Sequence, residues 1–283
     1  MPALSFSAVS KYFGDFSALK SVSFSVEKGE FFALLGSNGA GKTTLIHCLS
    51  GMLQRTGGEI LVFGKDPEKE SETTKKQIGV VEQEVGFDPF LSPLETLRTV
   101  RGFFGMPADE PYLEWILERL GLLEKRHVRG RYLSGGMKRR LMIAKALSHE
   151  PEILILDEPT AGVDIELRQN LWAFLQELRK EKGITILLTT HYLEEAEALA
   201  DRIAIIRDGG IAVCEEKSVL LARRKRILEV THEDGTVELL TLNHGENMAQ
   251  KIAQFLQHTP NIQDIHIREP RLEEVFLEIT SSL

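Results

Sequence analysis

Long apolar runs are what this sequence most plainly lacks. Its 283 residues contain no stretch of about 18 uncharged apolar positions, so no segment reads as a helix crossing a bilayer. The opening MPALSFSAVSKYF has no apolar core of the kind a secretory leader carries. Cysteine is scarce. Cys48 and Cys214 are the two present, without metal-ligand spacing, and they read as reduced thiols of a cytosolic chain rather than a disulfide framework. Positive charge is in deficit: 34 Lys and Arg face 42 Asp and Glu, for a formal charge of −8. That balance argues against nonspecific binding to nucleic acid. Neither an internal repeat nor a low-complexity linker interrupts the chain. If the protein works at a membrane, another chain must anchor it.

What is present is a globular composition. Apolar residues make up 42% of the chain, ample for a packed core, and the length suits about two domains. Up to about residue 86, short apolar strands alternate with glycine-rich turns. Residues 87–150 then change character: PYLEWILERLGLLEK sets Leu113, Ile116, Leu117 and Leu120 at helical spacing, and MKRRLMIAKALSHEP repeats that period. EILILDEP and GITILLTTH are short and almost wholly apolar, as strands of a parallel sheet buried on both faces are. The amphipathic IELRQNLWAFLQELRKEKG between them makes a strand–helix–strand unit.

A second composition shift near residue 216 divides the chain into an expected domain over 1–216, with a helical part at about 87–150, and a small α/β domain over 217–283. In the latter, ILEVT and TVELLTL flank a Glu-Asp-Gly turn as a hairpin does, followed by a helix, a strand and a last helix. The basic run RRKR at 223–226 reads as a solvated face or a domain junction. The small domain would serve regulation, dimerisation, contact with a membrane subunit, or only stability.

The strongest local signal is GSNGAGKTT at 36–44, which follows the strand FFALLG and opens the helix TTLIHCLSG. It fits the phosphate-loop pattern G-x-x-x-x-G-K-[ST]. Gly36, Gly39 and Gly41 let the backbone curl so that successive N–H groups face one anion. The following helix adds its positive end. Lys42 brings a charge for the β- and γ-phosphates, and the Thr43 hydroxyl is a candidate ligand for Mg²⁺. EILILDEP then ends a strand in two carboxylates, which are costly to bury without a cation or metal. Asp157 is expected in the Mg²⁺ shell, and Glu158 is expected to orient or deprotonate the attacking water.

LSGGM at 133–137 resembles the signature of ATP-binding cassette (ABC) ATPases, which usually ends in Gln. Other family marks fall in the expected order: Phe13 in KYFGDFSAL for adenine stacking, Gln83 in GVVEQE for the glutamine loop, Asp164 in TAGVD for the dimer loop, and His191 in LLTTHYLEEAE for the γ-phosphate switch. They span roughly residues 4–215. TAGVD, THYLEEAE and the tail RLEEVFLEIT look most like the ATPase subunits of bacterial drug and polysaccharide exporters. The resemblance implies a P-loop NTPase fold, with a RecA-like core, a β-subdomain and a helical subdomain. It also implies a head-to-tail homodimer that holds ATP and Mg²⁺ between the phosphate loop of one chain and the signature of the other. That dimer would dock from the cytoplasm on a separate transmembrane permease. ATP contacts carried over are Phe13, Gly36, Ser37, Asn38, Gly39, Ala40, Gly41, Lys42, Thr43, Thr44, Ser134, Gly135, Gly136 and Asp164. The hydrolytic set is Glu158, His191, Lys42 and Gln83, and the metal set is Thr43, Gln83 and Asp157. A cassette acting on nucleic acid or ribosomes, or a nucleotide-binding regulator, is the alternative.

Three departures stand out: Met137 replaces the usual Gln, Glu82 stands where Pro is frequent, and Val163 replaces Leu. EVGFDPFLSP after the glutamine loop is either a core-packed loop or part of a groove for the transmembrane partner. Lys138, Arg139 and Arg140 open a helix at its positive end, where they steer, pair with acidic neighbours, or form a solvated face. Ser134 is the expected N-cap, and Met137 cannot return the capping-box bond that Gln would.

Overall fold

The computed structural model describes residues 1–83, 86–160, 165–222, 226–242, 248–257, 262–268 and 271–281. Asp164, Val163 and most of the basic run at 223–226 lie outside them. The chain divides into two units, Met1–Cys214 and Glu215–Leu283.

In the first unit the chain runs through β1 (Leu4–Phe13), β2 (Phe16–Val26), β3 (Phe31–Leu35), α1 (Lys42–Leu49) and β4 (Gly57–Val62). Next come α2 (Ser71–Gln77), β5 (Ile78–Val81), α3 (Pro93–Phe103), α4 (Glu110–Arg119) and α5 (Gly135–Leu147). It continues with β6 (Ile153–Asp157), α6 (Ile165–Lys182), β7 (Thr185–Thr190), α7 (Leu193–Leu199), β8 (Arg202–Arg207) and β9 (Gly210–Glu216), the last of which runs past the division after Cys214. Strands β2, β1 and β4 form an antiparallel sheet. The larger, six-stranded sheet has the order β5-β6-β7-β3-β8-β9 and is parallel from β5 to β8.

Every residue of β3, β6 and β7 is buried. This is why their sequences are continuous apolar runs rather than alternating ones: both faces are covered, one by α3–α6 and the other by α1 with the antiparallel sheet. These three strands are neighbours, although about 150 residues separate β3 from β7 in sequence. Their carboxyl ends therefore emerge side by side on one edge, which is where open α/β sheets place ligand sites. The phosphate loop follows β3, the paired acids close β6, and His191 follows β7.

Helices α3, α4 and α5 are the helical part. Ser92 and Glu95 close a capping box on α3, with Pro93 in its first turn. Asp109 caps α4 by accepting from the Tyr112 N–H at 3.1 Å. The expected helical run to Lys125 breaks sooner, because Gly121 at φ +62° turns the chain out after Arg119. A short 3₁₀ turn at Leu123–Lys125 follows. Leu113, Ile116, Leu117 and Leu120 still face the core, as their spacing demands. The loop after Gln83 divides its aromatics: Phe87 packs on this helical core while Phe90 is exposed beside Arg131.

The second unit carries α8 (Lys217–Ala222), β10 (Arg226–His232), β11 (Val237–Leu242), α9 (Met248–Gln257), β12 (Ile262–Arg268) and α10 (Leu272–Ser281). Its antiparallel sheet has the order β11-β10-β12. Leu228 and Val230 of the central strand are fully buried, packed by Leu240, Ile252, Phe255, Leu256 and Ile262.

Candidate active site

The phosphate loop is shaped by two kinds of glycine. A Cβ on Gly36 would lie 2.6 Å from the Ile206 carbonyl oxygen, so only glycine lets the loop pass β8 that closely. Gly41 sits at φ +107°, with the Ala18 carbonyl 2.8 Å from where a Cβ would stand. Helix α1 starts directly after Gly41, with no side-chain cap and no acidic residue in its first turn. Its N-terminal N–H groups and its dipole are thereby left for an anion. Lys42 is 4% exposed, and its ammonium donates to the carbonyls of Gly36 (2.8 Å) and Ser37 (3.0 Å). The Ala40 N–H closes the turn on the Ser37 carbonyl at 3.2 Å.

The third partner of Lys42 is Glu158, 3.1 Å away and 7% exposed. Glu158 also accepts from His191 Nδ1 at 3.1 Å. It stands at φ +48°, a left-handed conformation that costs a non-glycine residue about 1–2 kcal/mol. That strain persists because neighbours hold the main chain: the Glu158 N–H donates to Thr189 at both its carbonyl (3.1 Å) and its Oγ1 (3.2 Å). The Thr189 hydroxyl in turn donates to the buried carboxylate of Asp157. One threonine at the end of β7 thus orients both acids at the end of β6.

A cavity of about 380 Å³ opens over these groups, lined by Asn38, Gly39, Gly41, Lys42, Thr43, Thr44, Gln83 and Glu158 on one side and by Phe16 and Ala18 on the other. Phe13 does not line it. It is half-exposed, with the Lys11 ammonium 5.0 Å from its ring centre. Phe16 pairs across the hairpin with Phe13 and so shares its face of the sheet. Ser134, Gly135 and Gly136 are likewise absent from the cavity wall. They lie at the surface end of α5, where Ser134 Oγ accepts from the Met137 N–H at 3.3 Å as the expected cap. Asp164 cannot be placed, being outside the described residues.

Within the basic triplet, Arg139 behaves differently from the sequence reading. Arg140 donates to the Leu120 carbonyl at 2.8 Å. Arg139 neither steers nor pairs with acidic side chains; it is buried, and its guanidinium donates to five main-chain carbonyls, those of Glu82, Gln83, Asp157, Glu158 and Pro159. Burial lowers its pKa, opposed by the Asp157 and Glu158 carboxylates, yet a guanidinium stays charged. The signal was present in the sequence: Arg139 shares a helix stripe with Met142, Ile143 and Ala146, all buried. Glu195 is a second residue that motif reading passed over. Nearly inaccessible, it accepts from Thr160 (2.5 Å), Thr190 (2.5 Å) and Trp172 Nε1 (3.3 Å), tying the segment after β6 to the end of β7.

Fold and cavity together define a P-loop nucleotide-binding protein. Comparison narrows the class. The ABC transporter family profile matches residues 19–161. The chain is 34% identical to the linearmycin resistance ATP-binding protein LnrL of Bacillus subtilis, covering 96% of each. It is 41% identical to the Nod factor export ATP-binding protein I of Bradyrhizobium diazoefficiens, covering 98% of this chain and 96% of that one. A solved ATP-binding subunit of an ABC transporter superposes with a TM-score of 0.74 at 25% identity, over 98% of this chain and 99% of that one. The chain belongs to the ABC transporter family, as an ATP-binding subunit of the kind that hydrolyses ATP.

Proposed function

We propose that this chain powers an export system, closing as a head-to-tail dimer around ATP and passing that motion to a separate membrane-spanning partner. The observation that carries this reading is the separation of Ser134–Gly136 from the cavity of Lys42 and Glu158 within one chain. An exposed, glycine-flanked helix N-terminus is built to meet an anion, and a second copy turned head to tail would bring it one. Export, rather than import, follows the printed roles of the relatives in Nod factor export and linearmycin resistance. No described helix is long and apolar enough to cross a membrane, so the membrane path belongs to the partner.

In this reading Lys42 and the α1 N-terminus bind the phosphates, and an aromatic of the β1–β2 hairpin flanks the base. Glu158 accepts the proton of the attacking water, and His191 holds Glu158 through Nδ1 while its ring stands ready at the γ-phosphate. Asp157, Thr43 and Gln83 offer carboxylate, hydroxyl and amide oxygens, the hard donors that Mg²⁺ takes. A carboxylate as buried as that of Asp157 is expensive without a cation, so the residues fit the ion. Mg²⁺ would neutralise charge on the phosphate oxygens there.

The test is Glu158→Gln. Steady turnover should vanish while ATP-dependent dimerisation persists, read by ATPase assay and light scattering. Wild-type turnover in this variant would remove Glu158 as the base, and a monomer with bound ATP would remove the sandwich.

A further inference from the structure

Strands β5 and β6 pair in parallel from Ile78↔Ile153 to Val81↔Leu156, and the ladder stops there. The next residues on each side, Glu82–Gln83 and Asp157–Pro159, carry the chemistry of the site, yet no ladder joins them. Their carbonyls instead converge on one side chain. Arg139 Nε donates to Pro159 at 2.9 Å, Nη1 to Glu82 at 2.9 Å and Gln83 at 2.7 Å, and Nη2 to Asp157 at 3.2 Å and Glu158 at 2.5 Å. A guanidinium has five N–H donors in a rigid planar fork, and here each has a carbonyl. Buried carbonyls need such partners.

We propose that Arg139 is a positioning residue for hydrolysis, substituting for the missing ladder so that Gln83 and Glu158 are held in fixed register over one phosphate. The proposal rests on the reading of Glu158 and Gln83 given above. Its geometry is direct. The Glu158 main chain is pinned at both ends, its N–H by Thr189 and its carbonyl by Arg139, which keeps a left-handed residue aimed at Lys42 and His191. The Gln83 carbonyl is pinned by the same guanidinium. Neither contact touches the phosphate loop, so Lys42 and the N-terminus of α1 keep their places without Arg139.

The experiment measures kcat and KM for ATP in the full-length chain for Arg139→Met, Arg139→Lys and Arg101→Met. Arg101 is an equally buried arginine that donates to the carbonyls of Pro107 and Ser148, away from the cavity, and controls for loss of a buried guanidinium. Because misplacement by about 1 Å can cost on the order of a hundredfold, Arg139→Met should lower kcat at least about tenfold with KM within about threefold. Arg101→Met should lower the melting temperature but not kcat. Arg139→Lys, with three donors on a point charge, should behave as the Met variant does and serves alone if the Met variant does not fold. The proposal is overturned if either Arg139 variant keeps wild-type kcat, if KM rises in proportion to the loss, or if Arg101→Met loses kcat as heavily. Glu158→Gln run alongside separates the two readings: turnover surviving there strikes the base assignment, while turnover surviving only in the Arg139 variants strikes this one.

Discussion

Lys42 and Glu158 are bound to each other inside the site, Nζ to Oε1 at 3.1 Å, at 4% and 7% exposure. Two chemical roles that the reaction needs apart are joined in one ion pair. The lysine also donates to the carbonyls of Gly36 and Ser37. In the proposed mechanism a phosphate entering the loop would compete for that ammonium and so loosen the carboxylate assigned as the base.

Breaking this pair from one side leaves a buried, uncompensated charge. Lys42→Met is expected to destabilise the first unit by about 3 kcal/mol and to abolish ATP binding. Adding Glu158→Gln should return part of the stability, so that the double variant melts above the single one in denaturation experiments. Strictly additive losses would mean the two side chains are not coupled.

Thr189 serves two acids with one hydroxyl, and Thr189→Val keeps the shape while removing it. Loss of the bond to Asp157 and of an acceptor for the Glu158 N–H should cost about 1–3 kcal/mol, seen as a lower melting temperature. ATPase kcat should fall with KM little changed. A variant that melts lower but turns over normally would place Thr189 in stability alone.

The cavity wall predicts which aromatic meets the base. Phe16→Ala should raise the KM for ATP several-fold, about what one lost aromatic contact of roughly 1 kcal/mol gives. Phe13→Ala alone tests the family-based assignment of the stacking ring. If only Phe13→Ala raises KM, the ring across the hairpin does the stacking and Phe16 is a bystander.

Arg55 beside Asp66 holds that carboxyl down at about 2, with the two groups 2.7 Å apart and largely buried. Because the folded-state value lies below the unfolded one, the contribution is complete above pH 4 and is lost as pH falls from about 4 through 2. Allowing for solvent screening, it is about 1 kcal/mol. Asp66→Asn should lower stability at neutral pH and flatten the acid limb of a stability–pH profile over that window; an unchanged acid limb would refute the linkage.

Met137→Gln supplies the missing half of a capping box on α5. A completed cap gains about 0.5–1 kcal/mol, offset by lost apolar packing, since Met137 lies against the helical core. The melting temperature should move little and ATPase activity should stay within about twofold. A large loss of turnover would show that the thioether itself serves the site.

Much of this was legible because the chemistry demands particular residues close together in sequence. A phosphate loop needs its glycines and lysine within nine positions, and apolar runs ending in acids or in Thr-His reveal buried strands by composition. The helix boundary at Gly121 was not legible from apolar spacing, since Leu120 keeps the period to the end while the backbone leaves it. Arg139 and Glu195 escaped for a different reason. The partners of Arg139 are carbonyls, which every residue possesses, drawn from segments up to 57 positions away. Those of Glu195 are two hydroxyls and an indole brought together only by the fold.

The central strand of the sheet sets an order of assembly on the ribosome. β3 emerges early, yet its neighbours are β7 and β8, Thr185–Thr190 and Arg202–Arg207. Until those segments have been synthesised, Phe31–Leu35 has neither flank of its ladder, and the apolar strand that carries the phosphate loop waits unpaired, open to wrong partners. A nascent chain stopped before Thr185 therefore holds every residue of the phosphate loop while the strand that carries it still lacks both of its partners.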